Sequence, residues 1–394
     1  MKKFLLLSLM LPIMGMADVW RPSSFEIKGW NSVVPASDPH NTVFSPIGFA
    51  ISVAMLGEGT GGTHRANISE ALGLLSDFGT AFSYVFKSYA NATASNQVSI
   101  TLAPSIWSRK HRTLDIDYRH SLQRNFEAET GELVNALPIN AWTEAKTDGR
   151  IVEMVNEISP RTEVMLLNAI AFEGAWKTGF DESRTAEEDF TCANGEKVKL
   201  AMMHGEASVI RVVDGGYTAL RLPFSAPGVS MIYLLPAKDT SIAEFRNRLQ
   251  NKISLDEIKT HFRNGSGVIV ESGMVKLSIP RMQVSSRWDV LPALAKFNVP
   301  MSGYPRIGAN FKINDVRQAA YIKINETGYS LTPGATPPPE PPENRRKRAS
   351  KFNDDENMAP SAPKASFTLD RPFLYFVWDE NSDTLLMAGQ FMGR

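Results

Sequence analysis

Proline is concentrated in one internal segment of the chain, residues 333–363, which holds eight of the 24 prolines. Proline lacks the backbone N–H that a helix interior or a central strand needs, so the segment can form neither. Two strand-like stretches, 319–325 and 373–378, flank it. The sequence therefore predicts a long loop on a folded body and not a linker at a terminus.

Outside this segment, helical patterns come first along the chain and strand patterns follow. Ser45 and Pro46 suit the N-cap and the first position of a helix. The uncharged stretch 47–56 predicts a helix buried on all sides, which the glycines between 57 and 62 should end. This order of elements favours an α+β fold over a doubly wound sheet. The other predicted helices span 65–74, 82–89 and 139–155, and the predicted strands span 164–172, 229–235, 275–279, 319–325, 373–378 and 385–391.

Two of the strand patterns also predict how each strand is covered. Residues 164–172 are nearly all apolar, which indicates a strand that is covered on both faces. In 275–279, apolar residues alternate with Lys276 and Ser278, so we expect one face of that strand to meet water.

The N-terminus has the three-part pattern of a secretory signal. Lys2 and Lys3 precede an apolar run, residues 4–14, and small residues lead to a cleavage site after Ala17. The apolar run is too short to cross a bilayer, which needs about 20 residues. We therefore expect residues 1–17 to be removed and the mature protein to be secreted, extracellular and free of the membrane.

Secretion gives meaning to four N-glycosylation sequons and to the single cysteine. The sequons begin at Asn67, Asn91, Asn264 and Asn325, although each could be an unused chance match. Cys192 has no partner within the chain, which excludes an intramolecular disulfide. It is either a lone thiol or half of an intermolecular bridge.

Charge and motif content exclude several classes of function. The chain has 42 basic and 42 acidic residues, which argues against nucleic-acid binding through a basic face. It contains no zinc-protease motif, no nucleophile elbow and no P-loop. Its six histidines are scattered without metal-ligand spacing. The sequence therefore predicts neither an enzyme nor a bound metal or cofactor.

Four blocks of sequence, in order, resemble the serpin family. They are 41–60, with Phe44-Ser45-Pro46; 167–180, with Asn168 and Trp176; 324–328; and 367–376, followed by Gly389. The resemblance implies the serpin fold, in which helices pack on a large central mixed β-sheet with smaller sheets beside it. Residues 18–394 would form one such domain, with 328–366 as an extended reactive-centre loop.

The resemblance also implies a mechanism that needs no catalytic residue in this chain. A serine protease cuts the loop and forms an acyl-enzyme, and the loop then inserts into the central sheet and distorts the protease. The expected partner is an extracellular or secretory-pathway serine protease. The chain itself is expected to be a monomer. The helix region 86–91, where some relatives carry a basic stripe, has one lysine, so no heparin patch is expected.

Two groups of site residues follow from the resemblance. The hinge of the loop would be Glu326, Thr327, Gly328 and Tyr329. A polar "shutter" beneath the sheet would contain Ser45, Asn168 and Gln318. Gln318 stands where the family commonly has histidine and Gly48 where it commonly has serine, so the shutter should be altered. Alternatively, Ser45 is only a helix cap and Asn168 only a satisfied core amide.

The loop itself departs from the inhibitory pattern of the family. Tyr329 is large for the first position that insertion would bury, and prolines at 333 and 337–339 remove ladder hydrogen bonds. Each bond lost with a buried partner left unpaired costs about 1–3 kcal/mol. We therefore expect insertion of the loop to be unfavourable beyond about Thr332, because proline is excluded from central strands.

A basic run near the middle of the loop points to a protease. Arg345, Arg346, Lys347 and Arg348 match the recognition pattern of furin-like convertases, which makes Arg348–Ala349 the candidate scissile bond. The family pattern would place that bond earlier, near Pro342. Three interpretations stay open: an inhibitor of trypsin-like or furin-like proteases, a non-inhibitory serpin cut as a substrate or used for binding, and a solvated charge run without function.

Overall fold

The computed structural model of the chain describes residue 20 and residues 22–94, 97–214, 216–264, 269–308, 311–327 and 365–394. The predicted signal peptide, Gly328, Tyr329, the basic run 345–348 and the candidate bond 348–349 lie outside these residues. Within them, no helix is long and apolar enough to cross a membrane.

Helices dominate the first part of the chain, as the sequence predicts. The predicted helices 65–74 and 82–89 correspond to α3 and α4, and their ends differ by a few residues from the observed ones. The helices are α1 (Ser23–Val33), α2 (Pro46–Glu58), α3 (Gly62–Leu72), α4 (Phe78–Thr93), α5 (Ile116–Phe126), α6 (Ala136–Lys146), α7 (Ile242–Asn251), α8 (Leu255–Asn264) and α9 (Leu291–Leu294).

Strands follow, and they confirm the α+β class. All six predicted strands are present, several of them longer than predicted. The strands are β1 (Thr42–Phe44), β2 (Val98–Ser108), β3 (Glu129–Glu132), β4 (Val164–Gly174), β5 (Ala186–Thr191), β6 (Lys197–Asp214), β7 (Tyr217–Pro223), β8 (Val229–Pro236), β9 (Ile269–Pro280), β10 (Met282–Asp289), β11 (Val316–Ile324), β12 (Ala365–Thr368), β13 (Phe373–Asp379) and β14 (Thr384–Phe391).

The strands form two sheets. The five-stranded mixed sheet, called the central sheet below, has the order β10-β11-β4-β2-β3. The second sheet has the order β1-β14-β13-β8-β7-β6-β9-β12, with β5 also paired to β6, and therefore contains more strands than the central one. Because β11 belongs to the central sheet and β12 to the second, residues 328–364 connect the two sheets.

Helix α2 is buried along its whole length, as its lack of charge predicts. The prediction that the glycines between 57 and 62 end it is confirmed, because α2 ends at Glu58 with Gly59 as its C-cap, although Gly57 itself lies inside the last turn. A Cβ on Gly57 would lie 2.4 Å from the ring of Phe78, so this glycine permits close packing against α4. Gly62 begins α3 instead of ending α2.

The predicted helix 139–155 is wrong in its second half. Helix α6 ends at Lys146, and Asp148 and Gly149, both with positive φ, reverse the chain. Residues 151–155 then run back along α6, where the Asn140 side chain accepts from the N–H of Met154 and of Val155. The helical spacing correctly indicated that these apolar side chains share one cluster, but it is the reversal of the chain after α6 that buries them together.

Strand β4 is buried at every residue, which confirms that both of its faces are covered. Leu166 and Ile170 pack into the main core on the α2 side, whereas Leu167 and Ala169 pack into a smaller core on the α6 side. For β9 the prediction of one wet face is correct at Lys276, which is exposed, and wrong at Ser278, which is buried.

A buried charge cluster joins α1, α8 and the turn between β13 and β14. Glu26 and Lys259 are almost fully buried, and their charged atoms lie 3.9 Å apart. The Leu385 N–H donates to Glu26 Oε1, and the ammonium of Lys259 lies 3.2 Å from Asp383 Oδ1. Burial raises the pKa of Glu26 to about 7, although the charge of Lys259 opposes this.

Candidate functional site

The centre of the five-stranded sheet is a parallel pair, β4 and β11, which we call the seam. Gln318 lies opposite Asn168 in this pair, and Lys323 lies opposite Glu173. On its outer sides the seam is flanked by antiparallel neighbours, β2 beside β4 and β10 beside β11. Parallel pairing is slightly less stable per residue than the antiparallel pairing on either side of the seam.

A polar cluster closes the seam from the α2 side. We call Ser45, Gly48, Asn168 and Gln318 the lower cluster. The Ser45 N–H donates to Gln318 Oε1 at 2.8 Å, and Gln318 Nε2 donates back to the Ser45 carbonyl at 2.9 Å. Asn168 Nδ2 donates to the Gly48 carbonyl at 2.9 Å. One side chain from each strand of the seam is thereby bound to the start of α2.

The absence of a side chain at Gly48 makes room for this arrangement. A Cβ there would lie 2.7 Å from Ile170 Cδ1 and 3.0 Å from Gln318 Nε2. Such separations are too short for ordinary packing, so a larger residue would displace the Gln318 amide or the Ile170 methyl. The two departures from the family pattern, Gly48 and Gln318, are therefore in contact and sterically linked.

Ser45 is a helix cap whose backbone also pairs with Gln318, whereas Asn168 is a core amide with only its Nδ2 hydrogen-bonded. The Ser45 hydroxyl caps α2 by accepting the Gly48 N–H at 3.1 Å, while its backbone pairs with Gln318. Asn168 is fully buried, and its Oδ1 has no hydrogen-bond partner among the residues that the structure describes. An unpaired buried acceptor costs free energy, so opening the seam would relieve a penalty there.

At its other end the seam leads into the hinge, where the chain is fixed by three contacts. We call Trp176, Phe180 and Arg281 the hinge anchor. Trp176 Nε1 donates to the Asn325 carbonyl at 2.9 Å, and the Phe180 N–H donates to the Glu326 carbonyl at 3.2 Å. Arg281 Nε lies 2.7 and 2.9 Å from the two carboxylate oxygens of Glu326.

The carboxylate of Glu326 is buried and stays charged. Burial raises its pKa, but hydrogen bonds from Arg281 and from Thr185, the latter at 2.5 Å, outweigh that effect and lower the pKa below its ordinary value. Arg281 and Thr185 were not predicted from the sequence. Neither lies in a motif, and they stand 45 and 141 residues from Glu326 along the chain.

Trp176 does more than pack in the core. Its indole stacks on Phe224 with ring centroids 4.5 Å apart, and this contact orients the N–H toward the hinge. Of the other predicted hinge residues, Thr327 is exposed and donates to Asn325 Oδ1 at 3.3 Å. Gly328 and Tyr329 lie outside the described residues.

The remaining predicted positions lie away from the seam, with one exception. Asn67 and Asn91 are exposed on α3 and α4, and Asn264 is the last residue of α8. Asn325 is partly exposed at the hinge. Cys192 is buried as a free thiol. The described residues contain no group of three or more His, Cys, Asp or Glu side chains placed to hold a metal ion.

Comparisons with known proteins agree with this architecture. A family model described as Serpin (serine protease inhibitor) matches residues 22–393. Serpin I2 of Homo sapiens is 25% identical over 387 residues, which cover 92% of this chain and 87% of that protein. The crystal structure of a thermophilic serpin, tengpin, in the native state has a TM-score of 0.77 at 20% identity and covers 95% of this chain and 93% of that one. Thyroxine-binding globulin in complex with thyroxine has a TM-score of 0.73 at 18% identity, with coverages of 94% and 98%.

Proposed function

The chain belongs to the serpin family, and we propose that it is a secreted serpin whose segment 328–366 is bait for a serine protease. The observation that carries the proposal is the closed seam, in which β4 and β11 pair directly while the chain leaves β11 at the hinge anchor. In the described residues no strand lies between β4 and β11, and the inhibitory mechanism would insert one there.

The pairing of the seam would contribute favourably to insertion of a strand. A segment that reverses direction after Glu326 runs antiparallel to β11, and it is also antiparallel to β4, because those two strands are parallel. Insertion would replace one parallel ladder by two antiparallel ladders, which are more stable per residue. Before that, the Gln318 and Asn168 bonds and the Glu326 ion pair resist the parting of the strands.

The proposed target class is a trypsin-like or furin-like protease of the secretory pathway or the extracellular space. Four adjacent basic side chains, 345–348, complement the acidic substrate pockets of such enzymes. We propose that the protease cuts the Arg348–Ala349 bond. We also propose that this chain is a monomer when the protease binds it. The alternative scissile bond lies near Pro342, where the family pattern would place it.

A second candidate function is a serpin that is cleaved or that binds a ligand without trapping a protease. The prolines at 333 and 337–339 favour it, because an inserted strand cannot use them in its ladder. Thyroxine-binding globulin, which has a similar fold, binds thyroxine, so a ligand-binding role is compatible with this fold. The two functions differ in one measurable outcome, the covalent complex.

The test uses the mature chain, residues 18–394, mixed with trypsin or furin and examined on a denaturing gel. We expect a stable covalent complex that depends on Arg348. The Arg348→Ala variant should lose it, and Lys351→Ala, which changes a basic residue outside the run, should keep it. Cleavage after Arg348 without a complex would support the second function, and the absence of cleavage would overturn the bait proposal.

Secretion needs its own measurement, because the inhibition assay does not depend on it. The full chain is expressed in a eukaryotic cell line, and the culture medium and the cell lysate are compared. We expect the protein in the medium, with its N-terminus at Asp18. Retention in the cell with an intact N-terminus would contradict the secretory assignment.

A further inference from the structure

One sequon coincides with the hinge of the loop. The sequon Asn325-Glu326-Thr327 begins directly after the last residue of β11, at the open end of the seam. The exposed candidates Asn67 and Asn91 lie instead on the outer surfaces of α3 and α4. A modification at Asn325 would therefore act where the loop leaves the sheet, and one at Asn67 or Asn91 would not.

The alternation of β11 indicates the face on which Asn325 lies. Ala320, Ile322 and Ile324 pack into the main core beside α2, whereas Ala319 and Tyr321 pack into the smaller core on the α6 face. Because side chains alternate along a strand, position 325 continues the α6 face. That face becomes more open toward the hinge, since Tyr321 is buried and Asn325 is partly exposed.

The hinge anchor holds the modified position still. The Asn325 carbonyl is bonded to Trp176, and the neighbouring Glu326 is fixed through both its carbonyl and its carboxylate. A bulky group on Asn325 would consequently stay at the end of the seam and would not move away with a flexible loop. Thr327, which the sequon requires, is exposed.

We propose that Asn325 carries an N-linked glycan and that this glycan limits insertion of the loop into the seam. The inference rests on the proposed secretion, because the sugar donor, a polyprenyl-diphosphate-linked oligosaccharide, belongs to the secretory pathway. In the transfer, Asn325 Nδ2 loses one proton and bonds to the anomeric carbon of the sugar. The bond from that carbon to the diphosphate oxygen breaks, and the polyprenyl diphosphate leaves.

The consequence for the loop is steric. Insertion requires the residues after Thr327 to turn at the open end of the seam and to enter between β4 and β11. A hydrated glycan on the α6 face of Asn325 occupies the space beside that turn. It acts together with the prolines farther along the segment, and both limit how far the cut loop inserts.

The first measurement is site occupancy in the full chain secreted by eukaryotic cells. Peptide-N-glycosidase F in heavy-oxygen water converts glycosylated asparagine to labelled aspartate, which peptide mass spectrometry detects at each sequon. We expect label at Asn325. Label at Asn67 or Asn91 with none at Asn325 overturns the inference and leaves the secretion proposal intact, whereas a chain retained in the cell without any label contradicts both.

The second measurement is the rise in melting temperature after the loop is cut. We expect a larger rise in Asn325→Gln and in Thr327→Ala, which each remove the sequon by a different residue, than in the glycosylated parent. Asn91→Gln is the matched control and should behave as the parent does. If the melting temperature rises equally in parent and variants, or rises in neither, the claim that the glycan limits insertion is overturned. If the variants fold poorly, enzymatic deglycosylation of the parent gives the same comparison.

Discussion

The lower cluster makes a quantitative prediction for Gln318. Replacing Gln318 by Ala leaves the backbone N–H of Ser45 buried without a partner, whereas the Ser45 carbonyl keeps the bond that it accepts from the Phe49 N–H. Gln318 and Ser45 are 1% and 0% exposed, so water cannot replace the lost bonds. Because one buried group is left unpaired, we expect the free energy of unfolding to fall by about 1–3 kcal/mol.

The assay is equilibrium unfolding in guanidinium chloride, followed by tryptophan fluorescence. Gln283→Ala is the matched control, because Gln283 is an exposed glutamine on the adjacent strand β10. The control should change stability by less than about 0.5 kcal/mol. A change as small as this in Gln318→Ala would refute the reasoning, because it would mean that the amide does not hold the start of α2.

The Gln318→Glu variant tests the direction of each hydrogen bond. At neutral pH its carboxylate can still accept the Ser45 N–H, but it brings a second oxygen against the Ser45 carbonyl, where Gln318 Nε2 donates at 2.9 Å. Protonation supplies a donor there. We therefore expect a loss of stability at pH 7 that is partly recovered in acid, and a pH-independent loss would contradict the assigned geometry.

Three further variants test packing and charge elsewhere in the fold. Gly48→Ala should destabilise the protein by about 1–3 kcal/mol through overpacking, and Gly61→Ala, whose added Cβ meets no atom within 4 Å, should change little in the same unfolding assay. The pKa of Glu26 is about 7 in the folded protein against 4.5 for the free side chain. The folded state therefore binds the proton more tightly, and stability should fall by on the order of 3 kcal/mol as pH rises through this range. Thermal melts at several pH values should show a flatter profile for Glu26→Gln. Arg281 lowers the pKa of Glu326, so this carboxylate stabilises the fold above its ordinary pKa of 4.5 and loses the effect in acid. Glu326→Gln should therefore cost about 1 kcal/mol at pH 7 and nothing at a pH where Glu326 of the parent is protonated. Equal losses at both pH values would contradict the ion pair.

Sequence periodicity was a good guide where one face or both faces of an element are buried. The charge-free α2 and the apolar β4 are each buried as predicted. Periodicity failed for 139–155, because a helix that turns back on itself buries the same side chains as a longer helix does. Positive φ at Asp148 and Gly149 made the reversal, and a local pattern of apolar residues carries no signal for it.

The candidate site was only partly accessible to the same reasoning. Ser45, Asn168 and Gln318 were named from a family resemblance, and the structure brings all three within one hydrogen-bonded cluster. The steric link between Gly48 and Ile170 could not be foreseen. It depends on how closely α2 approaches β4, a distance that no spacing along the chain determines.

The sequence by itself determined the class of the fold, the position of a proline-rich and basic loop between two strands, and the family whose blocks surround it. These features are local, because proline removes a backbone donor wherever it stands and burial selects apolar residues strand by strand. Only the tertiary structure decided that the seam is closed by side chains from α2, β4 and β11, and that Arg281 and Thr185 hold Glu326 at the hinge. Those contacts join residues far apart in the chain, and their strength comes from burial, which exists only after the chain has folded.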